Sequence, residues 1–263
     1  MIVCRSTAEI ERMRKANELV ADVLAALEAA VAPGVTTEDL DRLAARLIRD
    51  AGAEAAFKGY RGYPATLCAS VNEEVVHGIP SASRPLRAGD IISLDIGAKL
   101  GGFYGDSAVT VAVGEVPERT QTLLRVTKES LERAIEQVKV GGRLSDIGHA
   151  VQRWVEANGF SIVREFVGHG IGEKLHEEPQ IPNYGQPGRG PKLAEGMVLA
   201  IEPMVAMGRP ETRVLGDGWT AVTRDGSLAA HFEHTVAVTA AGPQVLTRRS
   251  RPAMTAGGAR PGA

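Results

Sequence analysis

Between residues 8 and 30 the apolar side chains of Ile10, Met13, Leu19, Val20, Val23, Leu24 and Leu27 recur at helical spacings, and Pro33-Gly34 then breaks the pattern. This predicts an amphipathic helix. A second helix is signalled by Thr36 and Thr37 as N-cap candidates, Glu38 and Asp39 in the first turn, and Leu40, Leu43, Leu47 and Ile48 on one face, ending near Gly52. Strand-like runs follow at 67–71, 91–96 and 108–113. A shift of 107 positions then lays the second half on the first: Gly34 falls on Gly141, Asp39 on Asp146, Leu40 on Ile147 and Gly52 on Gly159. The same shift pairs Leu86 with Leu193, Gly89 with Gly196, Leu94 with Ile201 and Asp95 with Glu202. One offset held through helix and strand predicts two similar α+β halves, about 8–113 and 114–240, packed around a pseudo-twofold axis as one domain over 1–246. Their strand ends meet at a shared cleft. The last stretch, 247–263, is basic, rich in Gly and Pro and without apolar period, and is expected to be a disordered tail.

Composition narrows the class. With 263 residues, 44% hydrophobic and 24% charged, the chain can bury a substantial core. A net charge of -2 and a pI near 6.3 supply no basic field for tracking nucleic acid, so sequence-specific nucleic-acid binding is not expected and any ribosome contact would be local and transient. The charged N-terminal segment and the lack of eighteen consecutive apolar residues exclude a secretory signal or membrane span, which points to the cytoplasm. Cys4 and Cys68 cannot build a disulfide framework and are expected reduced; Cys4 is read as a packing thiol.

The candidate chemistry is a set of acids in apolar surroundings. Asp95 lies in the apolar run IISLDIG, and Gly101-Gly102 can turn the chain back so that Asp106 faces it. The second half adds His169 in GHGIG, Glu202 in MVLAIEPM and Glu233 in HFEHTVAV. Singly, these residues read as a core histidine, a capped strand end and half of an ion pair. Together, four carboxylates and one imidazole on apolar strands leave buried anions that at least two divalent cations would neutralise. Such a donor set suits Mn, Fe, Co or Zn with open positions. Two such ions about 3.5 to 4 Å apart can share a hydroxide and clamp a hydrolytic transition state. No GxSxG, HExxH or Walker loop offers competing chemistry, and Glu173 breaks any dinucleotide reading of GHGIG.

The segments HGIP at 77–80, DIGAKLGGFYGD at 95–106, GHGIG and HEEPQIP within 168–182, IEPM at 201–204 and FEHT at 232–235 resemble those of the methionine aminopeptidases over roughly residues 5 to 247. The resemblance implies the pita-bread fold with a central antiparallel sheet. It also implies two divalent ions (Co, Mn, Fe, Zn or Ni) held by Asp95, Asp106, His169, Glu202 and Glu233, with Asp106 and Glu233 bridging them and a bridging water or hydroxide as nucleophile. By the same resemblance Glu202 relays the proton, His77 and His176 hold the scissile amide and its oxyanion, and Tyr60, Tyr63, Cys68, His77, Leu175 and Trp219 surround the methionine side chain. The implied activity is removal of the first methionine from nascent polypeptides whose second residue is small, by a monomer. Only 31 positions separate Glu202 from Glu233, too few for the helical insertion of the type II enzymes, and the start lacks a zinc-finger or SH3-binding extension, so the short bacterial type I form is the one resembled. Leu175 stands where these enzymes commonly carry Phe, and His231 where they usually carry Gln. His149 is read as a surface residue. A prolidase or a ligand-deficient binding protein of the same fold are the alternatives: the first normally carries a large extra N-terminal domain, and the second loses ligands, none of which is missing here.

Overall fold

The first two helices start where short polar side chains satisfy the free N–H groups of their first turns. Helix α1 (Thr7–Ala30) opens with a reciprocal box between Ser6 and Glu9, and α2 (Thr37–Asp50) with the same device built from Thr36 and Asp39. Helices α3 (Glu118–Ile135) and α4 (Leu144–Ala157) are their counterparts in the second half. The computed structural model describes residues 1–248.

The first half carries β1 (Glu54–Ala55), β2 (Leu67–Val71), β3 (Glu74–Val76), β4 (Ile91–Leu100) and β5 (Phe103–Ala112). The second half opens with β6 (Ser161–Ile162), β7 (Gly168–Gly170), β8 (Glu177–Ile181), β9 (Val198–Ile201) and β10 (Met204–Ala206). It ends with β11 (Thr212–Val214), β12 (Ala221–Thr223), β13 (Ala229–His231), β14 (His234–Thr239) and β15 (Gly242–Val245). All pairings are antiparallel. In the first half β4 pairs with β1, β2 and β5; in the second, the order is β15-β14-β9-β7-β8, with two smaller three-stranded sheets beside them. Helices α1 and α2 cover β2 and β4 through Val20, Leu24, Leu27, Leu40 and Ile48, while α3 and α4 cover β9 through Leu123, Val126, Ile147 and Val151. Each such fully buried aliphatic side chain contributes roughly 1.5–3 kcal/mol of transfer free energy.

The 107-position register is written into the backbone. Gly34 N donates to Leu86 O at 2.8 Å and Gly141 N to Leu193 O at 2.8 Å. The bridge Thr36↔Pro85 returns as Arg143↔Lys192. The bond from Thr36 N to Asp39 Oδ2 at 3.1 Å returns as Arg143 N to Asp146 Oδ2 at 3.0 Å. The expected strands at 91–96 and 108–113 prove to be the outer parts of one longer hairpin, because the Gly101-Gly102 turn lets the ladder run unbroken from Ile91↔Ala112 to Leu100↔Phe103.

The halves meet along β5. Ser107 Oγ donates to Glu233 O at 2.7 Å, Glu233 N to Ala108 O at 2.9 Å, Thr110 Oγ1 to His231 O at 2.7 Å, and Thr235 Oγ1 to Asp106 O at 2.8 Å. Two residues assigned to the tail are part of this structure. Thr247 is buried and its hydroxyl accepts from Thr235 N, and Arg248 pairs with Glu132, so β15 and its continuation dock onto β14 and α3. The remainder of the tail, 249–263, lies outside the described residues.

The Thr36→Ala variant removes the cap of α2 without touching a core side chain. It is expected to lower unfolding free energy by about 0.5–2 kcal/mol in urea titration while leaving peptidase activity at parent level. An unchanged transition midpoint would show that the cap contributes nothing to stability.

Candidate metal centre and substrate slot

Asp95 and Asp106 reach one another through hairpin register. Asp95 pairs with Ala108 and Gly97 with Asp106, so the two acids are diagonal neighbours on the same face of the β4–β5 ladder. Glu233 is brought beside them by its backbone bond to Ala108. Glu202 follows β9 directly, and Asn183 Nδ2 donates to its carbonyl at 3.0 Å.

His169 sits between glycines because β7 is squeezed between β8 and β9. A Cβ at Gly168 would lie 2.4 Å from Ala200 O, and one at Gly170 would lie 2.2 Å from Glu178 O. Only a GHG tripeptide fits that gap. The ring's Nδ1 lies 2.9 Å from Gly170 O, a bond that makes Nδ1 the protonated nitrogen and leaves Nε2 as a lone pair. That Nε2 is 3.5 Å from Glu202 Oε1 and 3.9 Å from Asp106 Oδ2. Ligand atoms of Asp106, His169 and Glu233 all fall within 4.8 Å of one another.

No lysine or arginine among the described residues pairs with these acids; the basic side chains within 4 Å are the imidazoles of His169 and His231. Burial raises the pKa of Asp95 to about 7 and, with neighbouring carboxylates adding to it, pushes Asp106, Glu202 and Glu233 well above the usual range. Burial also lowers His169 to about 4. Asp95 Oδ1, Asp106 Oδ1 and Glu233 Oε1 are buried with no hydrogen-bond partner. Oxygens desolvated without a donor are costly, and four carboxylates with one neutral imidazole are a donor set for divalent transition metals. The residues present therefore fit a metal centre.

All twelve side chains singled out from sequence line one cavity of about 140 Å³, joined by Phe57 and Arg61, which sequence reasoning missed. Arg61 stands in GYRGYP between two expected pocket tyrosines, which was the available signal; Phe57 carried none. The acids form one end of the cavity. The other end is aromatic: Tyr63 meets Trp219 edge-on at 5.2 Å, and His77 meets Trp219 at 6.2 Å. Tyr63 is fixed by its hydroxyl, which lies 3.0 Å from Leu67 O and 2.9 Å from Gly78 O, while Asp41 of α2 accepts from Thr66 N and Leu67 N to hold the start of β2. Cys68 is buried opposite Asp95. His77 has φ 61°, an uncommon conformation for a side-chain-bearing residue, and is locked there because Ala69 N donates to Gly78 O and Gly78 N to Ser70 Oγ. At the mouth, His176 Nδ1 lies 3.0 Å from Tyr60 Oη, and its ring is 4.1 Å from that of His169. Desolvation, then His169, Arg61 and His77, lower the His176 pKa to about 3. His149 lies outside the cavity, half-buried rather than on the surface, with Nδ1 3.1 Å from Gly185 O. Cys4 is exposed and does not pack in the core as expected.

Two duplicated α+β halves with an acid cluster between them define a metal-dependent hydrolase of the pita-bread class. The model of metallopeptidase family M24 matches residues 11–240. A methionine aminopeptidase of Clostridium acetobutylicum is 54% identical over 247 residues, covering 94% of this chain and 99% of the relative. The crystal structure of the Thermotoga maritima methionine aminopeptidase superposes with a TM-score of 0.93 at 50% identity, covering 95% of this chain and all of that one. A Pyrococcus horikoshii prolidase, at 22% identity and TM-score 0.76, shares the fold; this chain covers 65% of it. The chain belongs to metallopeptidase family M24 and, within it, to the methionine aminopeptidases.

In metal-free protein the raised carboxylates hold protons that free carboxylates have already lost, and a cation must displace them. His169 is already unprotonated near neutrality and adds no competing proton. Apparent manganese affinity is therefore expected to weaken as pH falls from about 7.5 to about 6, and titration of unbuffered metal-free protein should acidify the solution. Affinity independent of pH with no proton release would refute the cluster as the binding site.

Proposed function

We propose that Asp95, Asp106, His169, Glu202 and Glu233 would together hold two divalent cations in the metal-dependent removal of N-terminal methionine that this enzyme performs. The observation that carries this reading is the buried, unpartnered oxygens of Asp95, Asp106 and Glu233, collected at one end of an aromatic slot. Bound there, the cations supply Lewis acidity that polarises the scissile carbonyl and lowers the pKa of a water molecule.

The protein's own groups do the rest. Glu202, whose carboxylate lies between the imidazoles of His169 and His231 at the acid cluster, takes a proton from the attacking water and returns it to the leaving amine as the C–N bond breaks. Tyr60 Oη–H donates to His176 Nδ1, so that Nε2–H is the donor left for the developing oxyanion. His77, held neutral by burial, orients the amide from the opposite side. The methionine side chain fills the slot between Tyr63, Cys68, Leu175 and Trp219, where an unbranched thioether suits aromatic walls. The enzyme acts in the cytoplasm on nascent protein N-termini, in transient contact with the ribosome. In support, no helix among the described residues is long and apolar enough to cross a membrane.

Removal of metal by a chelator should abolish release of the first residue from Met-Ala, Met-Gly and Met-Ser peptides, and manganese or cobalt should restore it. Met-Leu and Met-Lys peptides should be poor substrates, because a bulky second side chain meets His77 and His176. First-residue selectivity should be strong rather than absolute, each apolar misfit being worth about 1–3 kcal/mol. Cleavage of Xaa-Pro peptides regardless of Xaa would favour a prolidase activity instead, and no cleavage by metal-loaded protein would favour a binding role.

The His176→Ala variant is expected to lose about 10²- to 10³-fold in turnover number at unchanged metal content. A change confined to the Michaelis constant would place His176 in ground-state binding.

A further inference from the structure

His231 is 1% exposed, and neither ring nitrogen has a hydrogen-bond partner. An orphaned buried imidazole costs free energy, which calls for a compensating interaction. Its backbone is pinned with unusual completeness. His231 N donates to Thr110 Oγ1 at 2.8 Å, and that hydroxyl donates to His231 O at 2.7 Å while lying 2.8 Å from Ser93 Oγ. On its other side His231 is in β-register with Met204. The ring so placed faces Glu202, with Nε2 3.9 Å from Oε2. The other oxygen, Oε1, faces His169 at 3.5 Å. Glu202 thus stands between two imidazoles, one in the metal-ligating set and one outside it.

We propose that His231 is a positioning residue for Glu202: as the Nε2–H tautomer it donates to Oε2, turning Oε1 toward the metal centre and holding the carboxylate where it receives and returns the proton. This rests on the role given to Glu202 above. The proposed hydrogen bond requires the 3.9 Å separation to close to about 3.2 Å, ordinary hydrogen-bond range. The resemblance already described puts an amide side chain at this position in related enzymes, and an amide offers a donor too. His231 is then a replacement that keeps a donor beside Glu202 rather than a neutral change in packing.

The test compares manganese-loaded parent, His231→Gln and His231→Leu proteins on a Met-Ala-Ser peptide. His231→Leu should lose about 10- to 100-fold in turnover number, with the Michaelis constant near parent, and His231→Gln should recover most of it. In zinc-loaded protein with ¹⁵N-labelled histidine, the His231 signal should report a protonated Nε2 that shifts on Glu202→Gln. Parent-level turnover by His231→Leu overturns the proposal, as does an unprotonated Nε2 or a signal indifferent to Glu202→Gln. If His231→Leu does not fold, the magnetic resonance measurement on the other proteins decides. Failure of the parent itself to cleave the peptide would instead sink the functional reading on which the proposal rests.

Discussion

The hydrogen-bonded seam between β5 and residues 231–235 is the constraint on which the site depends. Five bonds cross it, and the residues they join are neighbours of the chemistry: Ser107 and Ala108 hold Glu233, Thr110 holds both the N–H and the carbonyl of His231, and Thr235 holds Asp106. Four of the five use a serine or threonine hydroxyl on a strand to reach the other half's backbone. Hydroxyls this short cannot span a gap, so the halves must approach closely, and close approach is what brings Asp106 and Glu233 from different halves into one cluster. The duplicated cores under α1/α2 and α3/α4 stabilise each half; the seam decides how they face.

That arrangement works against stability at its centre. Four carboxylates with no lysine or arginine among the described residues paired to them would repel if ionised, and burial raises their pKa values instead. The fold tolerates the cluster because the surrounding strands are almost wholly apolar and extensively paired. A cation supplies what the protein withholds, and binding and stability are therefore linked: metal binds the folded state and favours it by mass action.

Much of this was legible in the sequence, for identifiable reasons. The 107-position register came from helix caps, glycines and apolar periodicity, local signals that both halves had to keep because each half packs the same way. The hairpin bearing Asp95 and Asp106 was legible because Gly101-Gly102 is a turn signal. The full length of that hairpin was not, since Lys99, Gly102 and Gly105 interrupt the apolar alternation that marks a strand. The docking of Thr247 and Arg248 was hidden in a basic, aperiodic stretch. The twelve cavity residues were found by resemblance as much as by pattern, and Phe57 and Arg61 escaped because neither periodicity nor a motif marks a lining residue. The orphaned state of His231 could come only from coordinates, although its departure from the usual residue was visible beforehand.

The site works because the duplication is imperfect. Asp95 and Glu202 occupy equivalent places on β4 and β9, and the strands beside them differ in what they present. Strand β2 brings Cys68 opposite Asp95 and continues toward His77, so the first half supplies one wall of the slot, against which Trp219 of the second half packs. Strand β7 brings His169 next to Glu202, and the chain beyond it brings Leu175 and His176, so the second half supplies the imidazole and the mouth. A symmetric pair of halves would make either a symmetric acid cluster with no pocket or two shallow pockets with too few ligands. Divergence confined to strands flanking a common acid position gives one cavity with a polar end and an aromatic end. On the proposed reading, a substrate would meet both ends in one direction, with its side chain in the slot and its first amide over the acids. Cleavage after the first residue would then follow from the contrast between the cavity's two ends, before any contact with the second residue is made.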